Sequence, residues 1–364
     1  MNADIVTILS TRQDVSWLPW AVLYFFLIGL SVAAFVLSVP GIVLRRGSWI
    51  GISRRALLGA VLCGVTAPLA LLSDLHQPGR FLNFYLHSNF SSWMAWGAYF
   101  IPLYLCSLLL YSWLALRPTL AAMGAQGGSA TRWYARLAYG GHDSRTALAA
   151  AALLAAVGGL LVFVYTGMEV MILRSRPLWH TPMLPLLFVL TAFSGAIGMV
   201  HVLDRMLNAV TEDATRRLNR LLVAAQVAVL TANAAWLALG LAGWSASGAQ
   251  AWSELAGVGA WRYAAAWAGT VTLVTLWLAR RRPARGLLIG VLTLHSAWMI
   301  RWTILIGGQG VSRIGEGYSA YQLPLGFDGV LGLLGIAGLW LALYVVLISF
   351  LPWDNRAAAQ GAAS

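Results

Sequence analysis

The sequence predicts an all-α integral membrane protein with nine transmembrane helices, its N-terminus outside and its C-terminus in the cytoplasm. Three observations predict this: a scarcity of charge, nine long apolar runs, and a lopsided distribution of arginine. Of 364 residues only 10% are charged, against roughly 25% in an ordinary soluble domain. Apolar residues make up 60%, the mean hydropathy is +0.74, and there are 18 Trp. A soluble fold of this length could not bury so much apolar surface without exposing large patches. Soluble enzyme, disulfide scaffold and disordered chain are thereby excluded. A net charge of +12 and a pI near 10.4 would suggest a nucleic-acid partner in a soluble protein. Here all 24 basic residues are Arg and they track membrane topology, so no nucleic acid is expected. Cys63 and Cys106 both lie in apolar runs and supply neither a redox-compartment signal nor a ligand set for a cluster.

A bilayer core about 30 Å thick requires roughly 20 apolar residues at 1.5 Å each. The first run, 17–44, follows a segment, Met1 to Ser16, that lacks the basic region and small-residue cleavage site of a signal peptide. The first span should therefore be retained, with 1–16 as an outer segment. Runs two and seven, 56–73 and 261–279, are short but free of interior charge. Runs three to six cover 91–115, 147–172, 182–203 and 221–243. Run eight, 286–306, carries Arg301, and run nine covers 327–351.

Orientation follows from where Arg accumulates. The loops after runs one, three, five and seven hold clusters such as Arg45, Arg46, Arg54 and Arg55, or Arg280, Arg281, Arg282 and Arg285. With Arg356 that side has seventeen; the other has six, among them Arg12, Arg80, Arg174 and Arg176. The richer side is cytoplasmic, and nine spans satisfy the parity. The poorer side carries Trp, Tyr, His and Pro, consistent with an interfacial aromatic belt, a docking surface, or the rim of a site.

Polar groups at membrane depth are functional candidates because they are costly there. Tyr165 and Glu169 are four apart in run four and should stack on one helix face, with Thr166-Gly167 between them allowing another group close to the backbone. A phenol and a carboxyl so placed offer a hydrogen-bond donor and a proton acceptor, the pair a quinol needs when its electrons and protons leave together. The alternative is an interfacial Tyr165 with Glu169 reaching the outer surface, paired with Arg174. After run two, Asp74-Leu75-His76-Gln77-Pro78-Gly79-Arg80-Phe81 reads as a turn in which Arg80 returns to pair with Asp74. His76 is the less constrained member, free to donate, accept or titrate.

Bis-histidine haem needs paired His on facing helices at matching depth. The span histidines are His201 at an inner edge and His295 nearer mid-span, a poor match, so neither haem nor an iron–sulfur cluster is expected in this chain. Asp204 joins His201 at the inner end of run five. Arg301 is the costliest single residue. Trp298 and Trp302 could stack on it, and a carboxylate partner from another span or an outer loop is expected.

The chain resembles the NrfD/PsrC family of membrane subunits from residue 13 to residue 350. The resemblance is carried by Gln13-Asp14-Val15-Ser16-Trp17-Leu18-Pro19-Trp20 leading into Tyr24-Phe25-Phe26, by Ala67-Pro68-Leu69-Ala70-Leu71 before Asp74-Leu75-His76-Gln77, and by Ser92-Trp93-Met94 with Trp96-Gly97. It continues through Tyr165-Thr166-Gly167 with Glu169, Arg176-Pro177 with Trp179, Arg301-Trp302-Thr303, Tyr321 with Leu323-Pro324, and Asp328-Gly329. The first and last stretches point to the tetrathionate-reductase type within that family. The resemblance implies two four-helix bundles, here 17–181 and 182–306, without a prosthetic group. The region 307–364 would then add an outer loop, a ninth helix and a cytoplasmic tail. It also implies a quinone site in the first bundle near the outer face, beside a partner iron–sulfur subunit that feeds a molybdopterin catalytic subunit. Carried over by position, the quinone-site residues are Tyr24, Asp74, His76, Tyr165 and Glu169. The expected activity is oxidation of menaquinol or ubiquinol in anaerobic respiration, at the bacterial inner membrane with a periplasmic active face. A structural anchor without quinone chemistry, a secondary transporter and a cytochrome b are the alternatives.

Overall fold

The computed structural model describes residues 15–75, 77–125, 131–140, 143–257, 259–311, 318–319 and 321–353. Among these the chain is helical, and its only β pairing is an isolated bridge between Val311 and Tyr318. The twelve helices are α1 (Pro19–Ile42), α2 (Ile50–Asp74), α3 (Asn83–Leu86), α4 (Trp93–Ala125), α5 (Thr131–Leu137) and α6 (Arg145–Met171), then α7 (Met183–Met206), α8 (Glu212–Leu241), α9 (Ala246–Ala256), α10 (Ala260–Arg281), α11 (Gly286–Gly310) and α12 (Val330–Phe350).

Each of the nine apolar runs falls on a helix. Eight are long and apolar enough to cross a bilayer, namely α1, α2, α4, α6, α7, α8, α11 and α12, and the chain is a multi-pass integral membrane protein. The ninth, α10, has 22 residues, but Thr270, Thr272, Thr275, Trp267 and Trp277 make it less apolar than the rest. Several helices outrun their apolar runs. Helix α2 begins at Ile50 and takes in Arg54 and Arg55, while α4 continues to Ala125 and takes in Arg117. Arg117 is buried and lies over the Trp113 ring, 5.2 Å from its centroid. The long guanidinium stem allows this, since its methylenes pack as apolar surface. Helix α8 starts at Glu212, where Thr211 Oγ1 accepts from the Ala214 N–H at 3.3 Å and Glu212 and Asp213 occupy the first turn. Those carboxylates suit the positive end of the helix dipole. The stretch between runs six and seven contains α9, unforeseen in the sequence although Ser245 caps it by accepting from the Gly248 N–H.

Helix α1 is the hub. It packs along α2 and also touches α6, α7, α11 and α12, while α4 lies along α6. Helices α7, α8, α10 and α11 form the other group, and α12 rests on α2 and α1. In lipid there is no hydrophobic drive between helices, so small residues and side-chain hydrogen bonds join them. Ser31 pairs with the Tyr104 hydroxyl at 2.8 Å and Ser38 with the Tyr111 hydroxyl at 3.0 Å, tying α1 to α4. At the opposite end from Asp74, Arg55 of α2 and Asp204 of α7 form a buried ion pair.

Candidate functional site

A cavity of about 480 Å³ lies among α1, α2, α4 and α6 at the Asp74 end of α2. Its walls are mostly apolar and include Trp17, Phe25, Leu72, Met94 and Ile101, with Phe81, Phe84 and Tyr85 from the segment around α3. Among the polar side chains that line it are Tyr24 from α1, Asp74 from α2, and Tyr165 and Glu169 from α6. Four of the five residues implied for the quinone site therefore converge. The fifth, His76, lies outside the described residues.

The four-residue spacing of Tyr165 and Glu169 puts both on the buried face of α6, at 2% and 9% exposure. The Tyr165 phenol sits beside both the Glu169 carboxyl and the Tyr24 hydroxyl, and Glu169 is near enough to interact with Asp74. Tyr24 is 1% exposed, and among the described residues its hydroxyl has the Tyr165 phenol beside it but no hydrogen bond of full geometry. Such an orphan in an apolar wall is costly unless a ligand completes it. Neither an interfacial Tyr165 nor a surface-seeking Glu169 describes this geometry: both side chains point inward, Arg174 is exposed, and the ion pairs among the described residues do not join it to Glu169.

Two glycines make the arrangement possible. Gly97 of α4 faces the Tyr165 ring so closely that a Cβ there would run into it. Gly167 abuts α7, where a Cβ would stand 2.6 Å from Pro185 Cβ. The close backbone approach expected at Thr166-Gly167 is thus made by Pro185. Pro68 and Pro102 also line the cavity. Pro102 has no N–H, so the Ala98 carbonyl, on the same wall, loses its usual intrahelical donor.

Asp74 is half-buried, and its Oδ1 accepts from the Leu18 N–H at 3.1 Å. The expected Asp74–Arg80 ion pair is absent from the ion pairs of the described residues. The turn Pro78–Arg80 is a short 3-10 helix that carries the exposed Arg80 to an outer hollow of about 460 Å³, which shares Leu75, Phe81, Phe84 and Met94 with the cavity. Asp74 instead holds the chain entering α1.

The remaining polar candidates lie elsewhere. His295 faces Trp267, whose Nε1–H it accepts at 2.8 Å. Asp204 is engaged by Arg55, and His201 is buried nearby on α7. Arg301 is 1% exposed and, contrary to expectation, none of the ion pairs among the described residues joins it to a carboxylate. It donates to Thr191 Oγ1 at 2.6 Å and to the Phe188 carbonyl at 2.8 Å. Its guanidinium lies over Phe188 and Phe26 rather than over Trp298 or Trp302. Neutral dipoles and ring faces replace the counterion.

Sequence reasoning did not place Trp17, Phe25, Gly97 or Pro102 at the site. Trp17 stands at the start of an apolar run, where an interfacial role explains it equally well. Gly97 stands in the stretch Trp96-Gly97 that carries the family resemblance, but nothing in the sequence brings it to the Tyr165 ring.

Comparison with known proteins finds a family and several relatives. A sequence profile described as "Polysulphide reductase, NrfD" matches residues 7–312. A tetrathionate reductase subunit of Salmonella typhimurium is 34% identical over 98% of both sequences. A polysulfide reductase polypeptide of Wolinella succinogenes is 30% identical over 48% of this protein and 54% of its own length. A putative dimethyl sulfoxide reductase membrane subunit of Halobacterium salinarum is 26% identical over 53% and 44%.

Proposed function

The chain belongs to the NrfD family of membrane subunits, and from that premise we propose that it oxidises quinol for a tetrathionate-reductase-like complex. The observation that carries the reading is the convergence of Tyr24, Asp74, Tyr165 and Glu169 on one apolar-walled cavity. A flat benzenoid or naphthoid ring suits those walls, and its two hydroxyls suit the polar groups. The exposed side chains at the rim, Leu69, Phe81, Tyr85 and Met94, support lateral entry of quinol from lipid between α2 and α4.

The chain's residues act as hydrogen-bond partners and proton acceptors. Tyr165 and Tyr24 orient one ring oxygen. Glu169 takes the proton from that hydroxyl, and Asp74 serves the second. A quinol thereby becomes a quinone, releasing two protons through the outer hollow and two electrons to an iron–sulfur partner subunit docked on the outer loops. That subunit would pass them to a molybdopterin catalytic subunit. Protons and electrons leaving on one face make the step non-electrogenic.

On this reading the chain lies in the bacterial inner membrane with nine crossings, its N-terminus and active face periplasmic and its C-terminus cytoplasmic. The first bundle, 17–181, would hold the site; the second, 182–306, and the region 307–364 would complete the anchor. Menaquinol and ubiquinol are both candidate substrates.

Substituting Glu169→Gln and Tyr165→Phe in the whole complex tests the reading. Quinol-dependent reduction should fall by about a hundredfold or more in Glu169→Gln, the scale of a lost general base. The Tyr165→Phe variant should lose about tenfold, while assembly and artificial-donor activity persist. Unchanged quinol kinetics in both would instead favour a structural anchor whose quinone chemistry lies in another subunit.

A further inference from the structure

One wall of the cavity is formed by a residue that precedes the first helix. Trp17 stacks on Phe25, with centroids 5.8 Å apart, and on Trp179, 5.5 Å apart. Beyond the Phe25 ring the start of α1 adds no cap: the helix is entered through Leu18, which makes no side-chain hydrogen bond. The restraint comes from 292 positions away. Gln309 Oε1 accepts from the Trp17 N–H at 2.9 Å, and Gln309 Nε2 donates to the Trp17 carbonyl at 2.9 Å.

One side-chain amide thus satisfies both backbone polar groups of Trp17. That fixes the peptide planes on either side of its Cα and therefore the direction in which the indole leaves the chain. A greasy contact would anchor the segment but would not set this direction.

Gln309 is itself held rigidly at 3% exposure. Arg176 donates to the Gly308 and Gln309 carbonyls, both at 3.0 Å, and its guanidinium lies 5.1 Å from the Trp179 ring centroid. Trp179 Nε1 donates to the Ile304 carbonyl at 2.6 Å. The last turn of α11, the Arg176–Trp179 loop and Trp17 form one block. Asp74, which lines the cavity, holds the next residue through the Leu18 N–H.

We propose that Gln309 is a positioning residue for the quinol site: by clamping the Trp17 backbone it sets the indole as a wall for the quinol ring, so that ring affinity depends on α11. This rests on the quinol reading above.

The test is a double-mutant cycle on the whole complex, with a short-chain naphthoquinol and a short-chain benzoquinol as donors. Gln309→Leu should raise KM about tenfold with kcat changed less than about twofold, the pattern of lost uniform binding. Trp17→Leu should do the same. The double variant should be no worse than Trp17→Leu alone, because residues acting through one contact are non-additive. Gln309→Glu keeps the acceptor and loses the donor, so its KM should rise by an intermediate factor; this variant serves if Gln309→Leu fails to assemble.

An unchanged KM in Gln309→Leu or Gln309→Glu overturns the proposal, as does a double variant whose loss equals the product of the single losses. Wild-type complex that neither binds nor oxidises either quinol overturns the quinol reading instead.

Discussion

The cavity is held open by small side chains as much as by functional ones, and Gly97 is the clearest case. A methyl group there meets the Tyr165 ring, which would have to shift from its place beside Glu169 and Tyr24. Gly97→Ala should lower stability by about 1–3 kcal/mol, the usual cost of overpacking. It should also lower quinol-dependent turnover by about tenfold or more, since a displacement near 1 Å at a reacting centre is expensive. Unfolding in detergent and quinol kinetics on the same preparation separate the two effects. Arg301 is the opposite case, a large buried group that acts through neutral partners. Thr191 Oγ1 also donates to the Leu187 carbonyl at 2.6 Å, so removing the guanidinium leaves that hydroxyl satisfied. Arg301→Met should therefore change unfolding stability by less than about 1 kcal/mol, because an apolar side chain of similar length avoids the cost of burying a charge. A loss above about 3 kcal/mol would mean that the guanidinium is a principal joint between α7 and α11.

Among the elements, α2 and α7 are joined at the end away from the site by Arg55 and Asp204. Breaking such a buried pair from one side strands a charge, so Arg55→Ala should cost about 3–5 kcal/mol. Pairing Arg55→Met with Asp204→Asn should recover much of that loss, which thermal unfolding of both variants would show. The same pair marks where sequence reading reaches its limit. The spans were legible because bilayer crossing imposes a local signal, a run of apolar residues, and α1, α6, α7 and α11 fall close to their predicted bounds. Hydropathy puts Arg55 in a loop because it ends before the helix does, and its partner lies in another span. Tyr165 and Glu169 were legible as a pair because helical spacing is local. Their meeting with Tyr24 and Asp74 was suggested by resemblance and depends on packing between helices. The Gln309–Trp17 clamp had no local signal at all: a single amide just past an apolar run looks like the start of a loop.

For the molecule as a whole, the decisive question is whether α10 crosses the bilayer, since its crossing sets the side on which everything after it lies. At 1.5 Å per residue, 22 residues span about 33 Å, enough for a hydrocarbon core. Its lower hydropathy is offset by the cluster Arg280, Arg281, Arg282 and Arg285 at its C-terminal end, which the positive-inside rule retains in the cytoplasm. It also packs against α11 and α8, and its threonines are not all presented to lipid: Thr272 and Thr275 are buried and donate to the carbonyls of Ala268 and Val271. In a protein whose Cys63 and Cys106 have been replaced, single cysteines at exposed positions read the topology directly. A membrane-impermeant thiol reagent on intact cells should label Ser175→Cys, Trp244→Cys and Leu325→Cys. It should spare Ser48→Cys, Asn208→Cys and Pro283→Cys until the membrane is opened. If α10 lies along the surface instead, Pro283→Cys would be labelled with Trp244→Cys, and Leu325→Cys would be protected. That outcome would leave eight crossings, put the C-terminus outside, and turn the Arg-rich α10–α11 loop toward the face proposed to dock the electron-accepting subunit.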